Sequence, residues 1–197
     1  MSMEVSMEID ISFRGPYSFD KDQNSIFKCE YADCAGIYLW AVKQTASNHY
    51  LVHYVGETVS LARRHREHLI NILGLNYGIF DVGELKNGKI KFMWKGLWRL
   101  KNADDPSQMI EAYGSKIKET LEYVESIEIF FAQLDTSNEQ RKHIEGSIGW
   151  NLRINHPEFK SIFPDDNHIQ VKSVNENNTL RIKCDSEIRG IDSVIEI

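Results

Sequence analysis

Two tyrosines, an arginine, a histidine and a glutamate stand at spacings that suit hydrolysis of a phosphate ester. Tyr38 closes the string Gly36-Ile37-Tyr38, Tyr54 opens Tyr54-Val55-Gly56, and fifteen residues separate the two strings. Leu61-Ala62-Arg63-Arg64-His65-Arg66-Glu67-His68 follows. Cleaving a phosphodiester needs a group that deprotonates or positions water and a fixed cation to meet the developing charge. It also needs a metal or acid for the leaving oxygen. Arg64 and His68 are four apart and share one side of a helix. A guanidinium stays charged and offers forked donors to phosphate. Glu145, between the apolar Ile144 and Ile148, can supply a hard oxygen ligand for a divalent cation. Each residue has a plainer role when taken singly. A strand tyrosine is usually a core aromatic, a helix arginine is usually solvated, and His68 on a semi-apolar face is usually structural. The weight lies in their order.

Local patterning says which elements must position these groups. Residues 3–13 alternate apolar and polar as a half-buried strand does, with Gly15-Pro16 as its stop. GIYLWAVK (36–43) and 50–56 read as the two strands of an antiparallel hairpin around the polar loop 44–48, so both phenols can reach one face. Thr58 or Ser60 can cap a helix that runs to about Leu73, where Gly74 ends it. Leu61, His65, His68 or Leu69, and Ile72 share one of its faces. In 79–98 the dipeptide Asn87-Gly88 signals a second hairpin. Pro106 opens a helix to about Tyr123, with Met109, Ala112 or Tyr113, Ile117 and Leu121 on one side. ESIEIFFAQL (125–134) reads as a central strand, and Asp135-Thr136-Ser137-Asn138 is a capping cluster for a helix from about Glu139 to Leu152. A short helical piece after Pro157 and two or three short strands beyond His168 complete an α+β plan.

The net charge of −6 weighs mildly against a polyanion partner, since phosphate binding rests on Lys and Arg. The average hides an asymmetry. Residues 55–101 hold nine Lys and Arg against four Asp and Glu, which leaves a basic segment beside a strongly acidic remainder. Lys91 and Lys95 interleave with Trp94 and Trp98, a pattern that suits phosphate contact plus base stacking, or simple core packing of the indoles. Cys29, Cys34 and Cys184 are odd in number and widely spread, as in a reducing cytoplasm rather than a disulfide scaffold. The acidic, alternating first residues are neither a secretory signal nor a transit peptide, and no apolar run approaches the ~20 residues that span a bilayer.

The ordered set over 34–75, resumed at 126–168, resembles the GIY-YIG nuclease superfamily. That resemblance implies a small three-stranded antiparallel sheet flanked by helices. An inserted hairpin and helix at about 76–123 and a β-rich C-terminal tail add to it. The corresponding division is 1–30 as an N-terminal strand extension, 31–168 as the nuclease-like domain and 169–197 as a C-terminal β extension on the same domain. It implies a DNA endonuclease that depends on Mg²⁺ or Mn²⁺, and leaves RNA open as a substrate. Tyr38 and Tyr54 would position or activate water, and Arg64 would contact the scissile phosphate. His68 would assist proton transfer, and Glu145 would hold the metal, with Glu139 as the weaker alternative. Arg63, Lys91, Lys95 and an active-site asparagine (Asn167, or else Asn155 or Asn151) would contact substrate. Specificity would come from a homodimer or a partner protein, with no membrane association. The alternative reading is a non-catalytic nucleic-acid-binding module on the same scaffold.

Overall fold

The computed structural model describes residues 8–19, 24–97, 106–161 and 179–196. Alternating and apolar runs build a seven-stranded sheet from β1 (Glu8–Tyr17), β2 (Gly36–Lys43), β3 (Tyr50–Thr58), β6 (Glu128–Gln133), β7 (Thr179–Cys184), β8 (Ile188–Arg189) and β9 (Val194–Glu196). Their order across the sheet is β8-β3-β2-β6-β1-β7-β9, with β3–β8 and β1–β7 parallel and the other pairs antiparallel. A two-residue β4 (Ile79–Phe80) pairs separately with β5 (Phe92–Trp94). The α-helices among the described residues are α1 (Leu61–Leu73), α2 (Val82–Lys86), α3 (Pro106–Ser126) and α4 (Asn138–Asn155), and the expected short helical piece after Pro157 is a 3₁₀ helix, Pro157–Ser161. None of these helices is long and apolar enough to cross a membrane.

The expected small three-stranded sheet is therefore corrected. β3, β2 and β6 lie side by side, but the sheet continues past β6 into β1, β7 and β9 and past β3 into β8. The outer strands come from the two flanking segments of the chain, and no local pattern announces a pairing between them. Gly15-Pro16 does not stop β1 either. The pair sits at an irregularity in the β1–β6 register, between Arg14 and Tyr17, where a missing N–H breaks no ladder bond. Asn87-Gly88 closes α2 rather than a two-residue hairpin turn, because Asp81 caps a helical turn by accepting from the Glu84 amide at 3.1 Å. Trp98, Asn167 and 169–171 lie outside the described residues.

β6 reads as an unbroken apolar strand because both of its faces are covered, and Ile129, Phe130, Phe131 and Ala132 are all fully buried. α4 opens with a capping box in which the Ser137 hydroxyl accepts from the Gln140 amide. The helix turns Ile144, Ile148 and Leu152 onto the core. α1 begins differently. Thr58 Oγ1 bonds the Ser60 backbone, and the free amides of Leu61 and Ala62 donate to the carbonyls of Cys34 and Ala32. These bonds tie the start of α1 to the turn that leads into β2, which fixes the helix over the hairpin.

Candidate functional site

Strand alternation sets the floor of the site. In the β2–β3 register Tyr38 faces Gly56 and Trp40 faces Tyr54, so the three aromatics lie on one face of the hairpin. Tyr38 is fully buried, and its ring stacks on Tyr54 at 6.0 Å between centroids. The 3.6-residue period of α1 then lowers Leu61, His65, His68 and Ile72 onto that face. The Tyr38 hydroxyl and His68 Nε2 are 2.7 Å apart. The Trp40 indole N–H donates to His65 Nε2 at 3.1 Å, so His65 Nδ1 carries the proton and donates to the Leu61 carbonyl at 2.8 Å. His65 is thereby fully used as a spacer between strand and helix.

Burial governs the electrostatics. It pushes the Tyr38 phenol well above its ordinary value, the neighbouring Tyr54 adds to the rise, and Arg64 works against it. Burial also drives His68 down to about 2, with the Arg64 charge acting in the same direction. The pair is neutral at rest. We assign the hydroxyl as donor, since cationic Arg64 favours electron density on the phenolic oxygen. His68 Nδ1 is then a buried N–H with no partner among the described residues.

Arg64 lies at the margin of the buried stripe of α1, partly exposed, with Nη1 3.1 Å from Glu67 Oε2. Tyr54 and Tyr77 are partly buried beside it, and both phenols are raised by burial and restrained by the Arg64 charge. Arg64, Tyr54 and Tyr77 form the partly exposed rim of the set, and Tyr38 and His68 are its enclosed members. Glu145 of α4 is within electrostatic reach of Tyr54 and Arg64. Its carboxyl is pushed up to about 7 by burial and then by the Glu57 carboxylate. Glu57 is itself held by Arg141, whose Nε lies 3.2 Å away with both side chains largely buried.

The structure thus brings Tyr38, Tyr54, Arg64, His68 and Glu145 into one neighbourhood. Glu139 is exposed in the first turn of α4. Arg63 is exposed on α1. Lys91 is exposed and already paired with Asp81 at 2.9 Å, and Lys95 is exposed on the β5 side. The Trp94 indole donates to the Leu75 carbonyl at 2.8 Å and packs on the core, which makes it a wall rather than a stacking platform. Asn155 is exposed, Asn151 is buried, and Asn167 lies outside the described residues. Sequence reasoning missed Trp40 and the role of His65, which it placed only on the inner face of α1, and it missed Tyr77, Glu57 and Arg141. The first two were legible: Trp40 is two residues from Tyr38 on the same strand face, and His65 is four residues after Leu61. Glu57 and Arg141 stand 84 positions apart and had no local signal.

Among the described residues no group of three or more His, Cys, Asp or Glu gathers as a metal cage. The donor set still fits Mg²⁺, which takes one or two carboxylates and keeps several waters. Glu145, whose charged form is disfavoured first by burial and then by the Glu57 carboxylate, is a group whose negative charge a cation would stabilise. No protein-family model matches the chain, and comparison with curated proteins and with solved structures likewise returned no match.

Proposed function

We propose that this protein is a divalent-metal-dependent endonuclease that hydrolyses phosphodiester bonds in DNA, with GIY-YIG-type site residues set in a different sheet. One observation carries the reading: the Tyr38 hydroxyl sits 2.7 Å from the neutral His68 imidazole, beside the Arg64 guanidinium and Tyr54. A scissile phosphate entering the partly exposed rim meets Arg64 and Tyr54 first. Arg64 offers a fixed positive charge to the phosphoryl oxygens, and that charge counts for more in a partly desolvated site. Tyr54, which is partly exposed, orients the attacking water by a hydrogen bond, and Tyr38, fully buried in the free protein, reaches that water only once substrate entry opens the rim. As the water oxygen bonds to phosphorus, the bond from phosphorus to the leaving oxygen breaks and that oxygen keeps the electron pair, while the water's proton passes to the Tyr38 oxygen and the Tyr38 proton passes to His68 Nε2. The negative charge of the substrate raises the proton affinity of that imidazole. Glu145 would hold Mg²⁺ or Mn²⁺, and the metal when bound would supply Lewis-acid stabilisation of the leaving oxygen.

Three free cysteines and a basic segment beside an acidic body are consistent with a cytoplasmic protein whose partner is nucleic acid. Incubating the purified protein with supercoiled plasmid and Mg²⁺ or Mn²⁺ tests the proposal. Nicking by wild type that is lost in Arg64→Ala and Glu145→Ala supports it. Absence of cleavage by wild type, or cleavage unchanged in both variants, overturns it. The second reading, a binding module without turnover, is favoured by the complete enclosure of Tyr38 and His68. Salt-dependent DNA binding without product across both metals would establish that reading instead.

A further inference from the structure

Helix α3 carries a surface that the candidate site does not use. Its C-terminal half is anchored, with Thr120, Tyr123 and Val124 buried. Another face is bare: Ile110, Ile117 and Leu121 are 74%, 45% and 47% exposed, with Tyr113 on its flank at 44%. Gly114 stands four residues after Ile110 and three before Ile117, and so falls on the same face. A Cβ at Gly114 would meet nothing within 4 Å among the described residues, so none of them calls for glycine there. Yet glycine is among the costliest residues in a helix interior. A bare apolar stripe with a hole in it is the shape of a surface that another helix approaches closely.

The stripe is complementary to itself. Gly114 and Ile117 are equidistant from the midpoint between Ser115 and Lys116, and so are Ile110 and Leu121. If a second copy lies antiparallel across that midpoint, each Ile117 enters the space over the partner's Gly114, and each Ile110 meets the partner's Leu121. An isologous contact demands this symmetry, because the same patch serves both sides. The charges agree with it. Glu111 and Lys118 are exposed, two turns apart on one flank, and neither forms an ion pair among the described residues. In the antiparallel pair each Lys118 comes within about 3 Å of rise of the partner's Glu111, inside the reach of its side chain. We propose that α3 is a homodimer contact in which two copies of this chain pair antiparallel, Ile117 of each seated over Gly114 of the other. The inference is independent of the phosphodiesterase reading.

Sedimentation equilibrium of the full chain over a dilution series tests it. Wild type is expected to show a monomer–dimer equilibrium. Ile117→Glu and Gly114→Leu should each weaken it about tenfold or more. The thermal midpoint of the monomer should not fall in either variant, since both positions are open among the described residues, and Gly114→Leu should raise it slightly through helix propensity. Glu111→Lys and Lys118→Glu should each weaken association, and the two together should restore it. A chain that stays monomeric at every concentration overturns the proposal. So does a dimer indifferent to Ile117→Glu, or a charge-swapped double variant that fails to recover.

Discussion

The phenol of Tyr38 occupies the space that a side chain at position 56 would need. A Cβ built on Gly56 would lie 2.2 Å from Tyr38 Cζ and 2.3 Å from its hydroxyl oxygen. A glycine inside a strand weakens it and often marks a close approach; this one makes room for the group at the centre of the site.

Gly56→Ala should therefore displace Tyr38, which is fully buried and hydrogen-bonded and has no free rotamer to adopt. Overpacking of this kind costs about 1–3 kcal/mol. A fall in thermal midpoint together with loss of plasmid nicking is expected, and an unchanged midpoint would refute the steric argument.

Tyr38→Phe keeps the ring and removes the hydroxyl, which leaves His68 Nε2 buried and unpartnered at a cost of about 1–3 kcal/mol. If the two groups act as one relay, cleavage should drop by roughly 10²–10⁴-fold. Combining Tyr38→Phe with His68→Ala should then cost little more than either alone. Denaturant melts and nicking rates of the four proteins measure this, and strict additivity would show that the pair is not coupled.

Glu145 gives the site a pH signature. Its carboxyl titrates at about 7 when folded against an ordinary value of 4.5. Between those values the folded protein holds more protons than the unfolded chain, so this group's contribution to stability falls as pH rises from 4.5 to 7. The full effect is about 3 kcal/mol at most. Glu145→Gln should raise the melting temperature at pH 8 and change it little at pH 5. Mg²⁺, which binds the deprotonated carboxylate, should stabilise wild type more at pH 8 than at pH 6 and leave Glu145→Gln unaffected. Equal stabilisation of both proteins would remove Glu145 as the ligand.

Three buried imidazoles predict acid lability. Burial holds His53 at about 3, His65 at about 4 and His68 at about 2, each below the ordinary 6.5. The unfolded chain binds more protons below pH 6.5, so their contribution to stability is complete above that pH and declines as pH falls. At pH 5 each costs about 2 kcal/mol, and the three together approach the whole stability of an ordinary domain, with Glu145 offsetting part. Melting temperatures followed from pH 7 downward should fall steadily below 6.5. A flat profile to pH 5 would mean that these rings protonate without unfolding the protein.

The elements nearest the site were legible because their signals are local. The hairpin of β2 and β3 has alternating β-branched and aromatic residues, α1 has its 3.6-residue stripe and Gly74, and α4 has Ser137 with Gln140 three residues on. What stayed hidden depends on distant partners. The parallel register of β1 with β7, from Glu8↔Thr179 to Phe13↔Cys184, is written in no window of sequence. It turned an expected three-stranded sheet into one of seven strands. In α3 the apolar stripe around Ile117 looks like the buried face by periodicity alone, yet the core takes Thr120, Tyr123 and Val124. Competition between two amphipathic faces is decided by what the rest of the chain brings against them.

The same parallel pairing has a kinetic consequence. Residues 36–73 form the β2–β3 hairpin and α1 from neighbours in the chain, whereas Arg14 meets Asp185 across 171 positions. Closing so long a loop is slow compared with folding a hairpin and helix. On the ribosome, the floor and lid of the candidate site emerge and associate while β1 still waits for β6 and β7 to be made. Until β6 and β7 are made, the strand partners of β1 do not exist, so its apolar, alternating residues have no native edge to pair with.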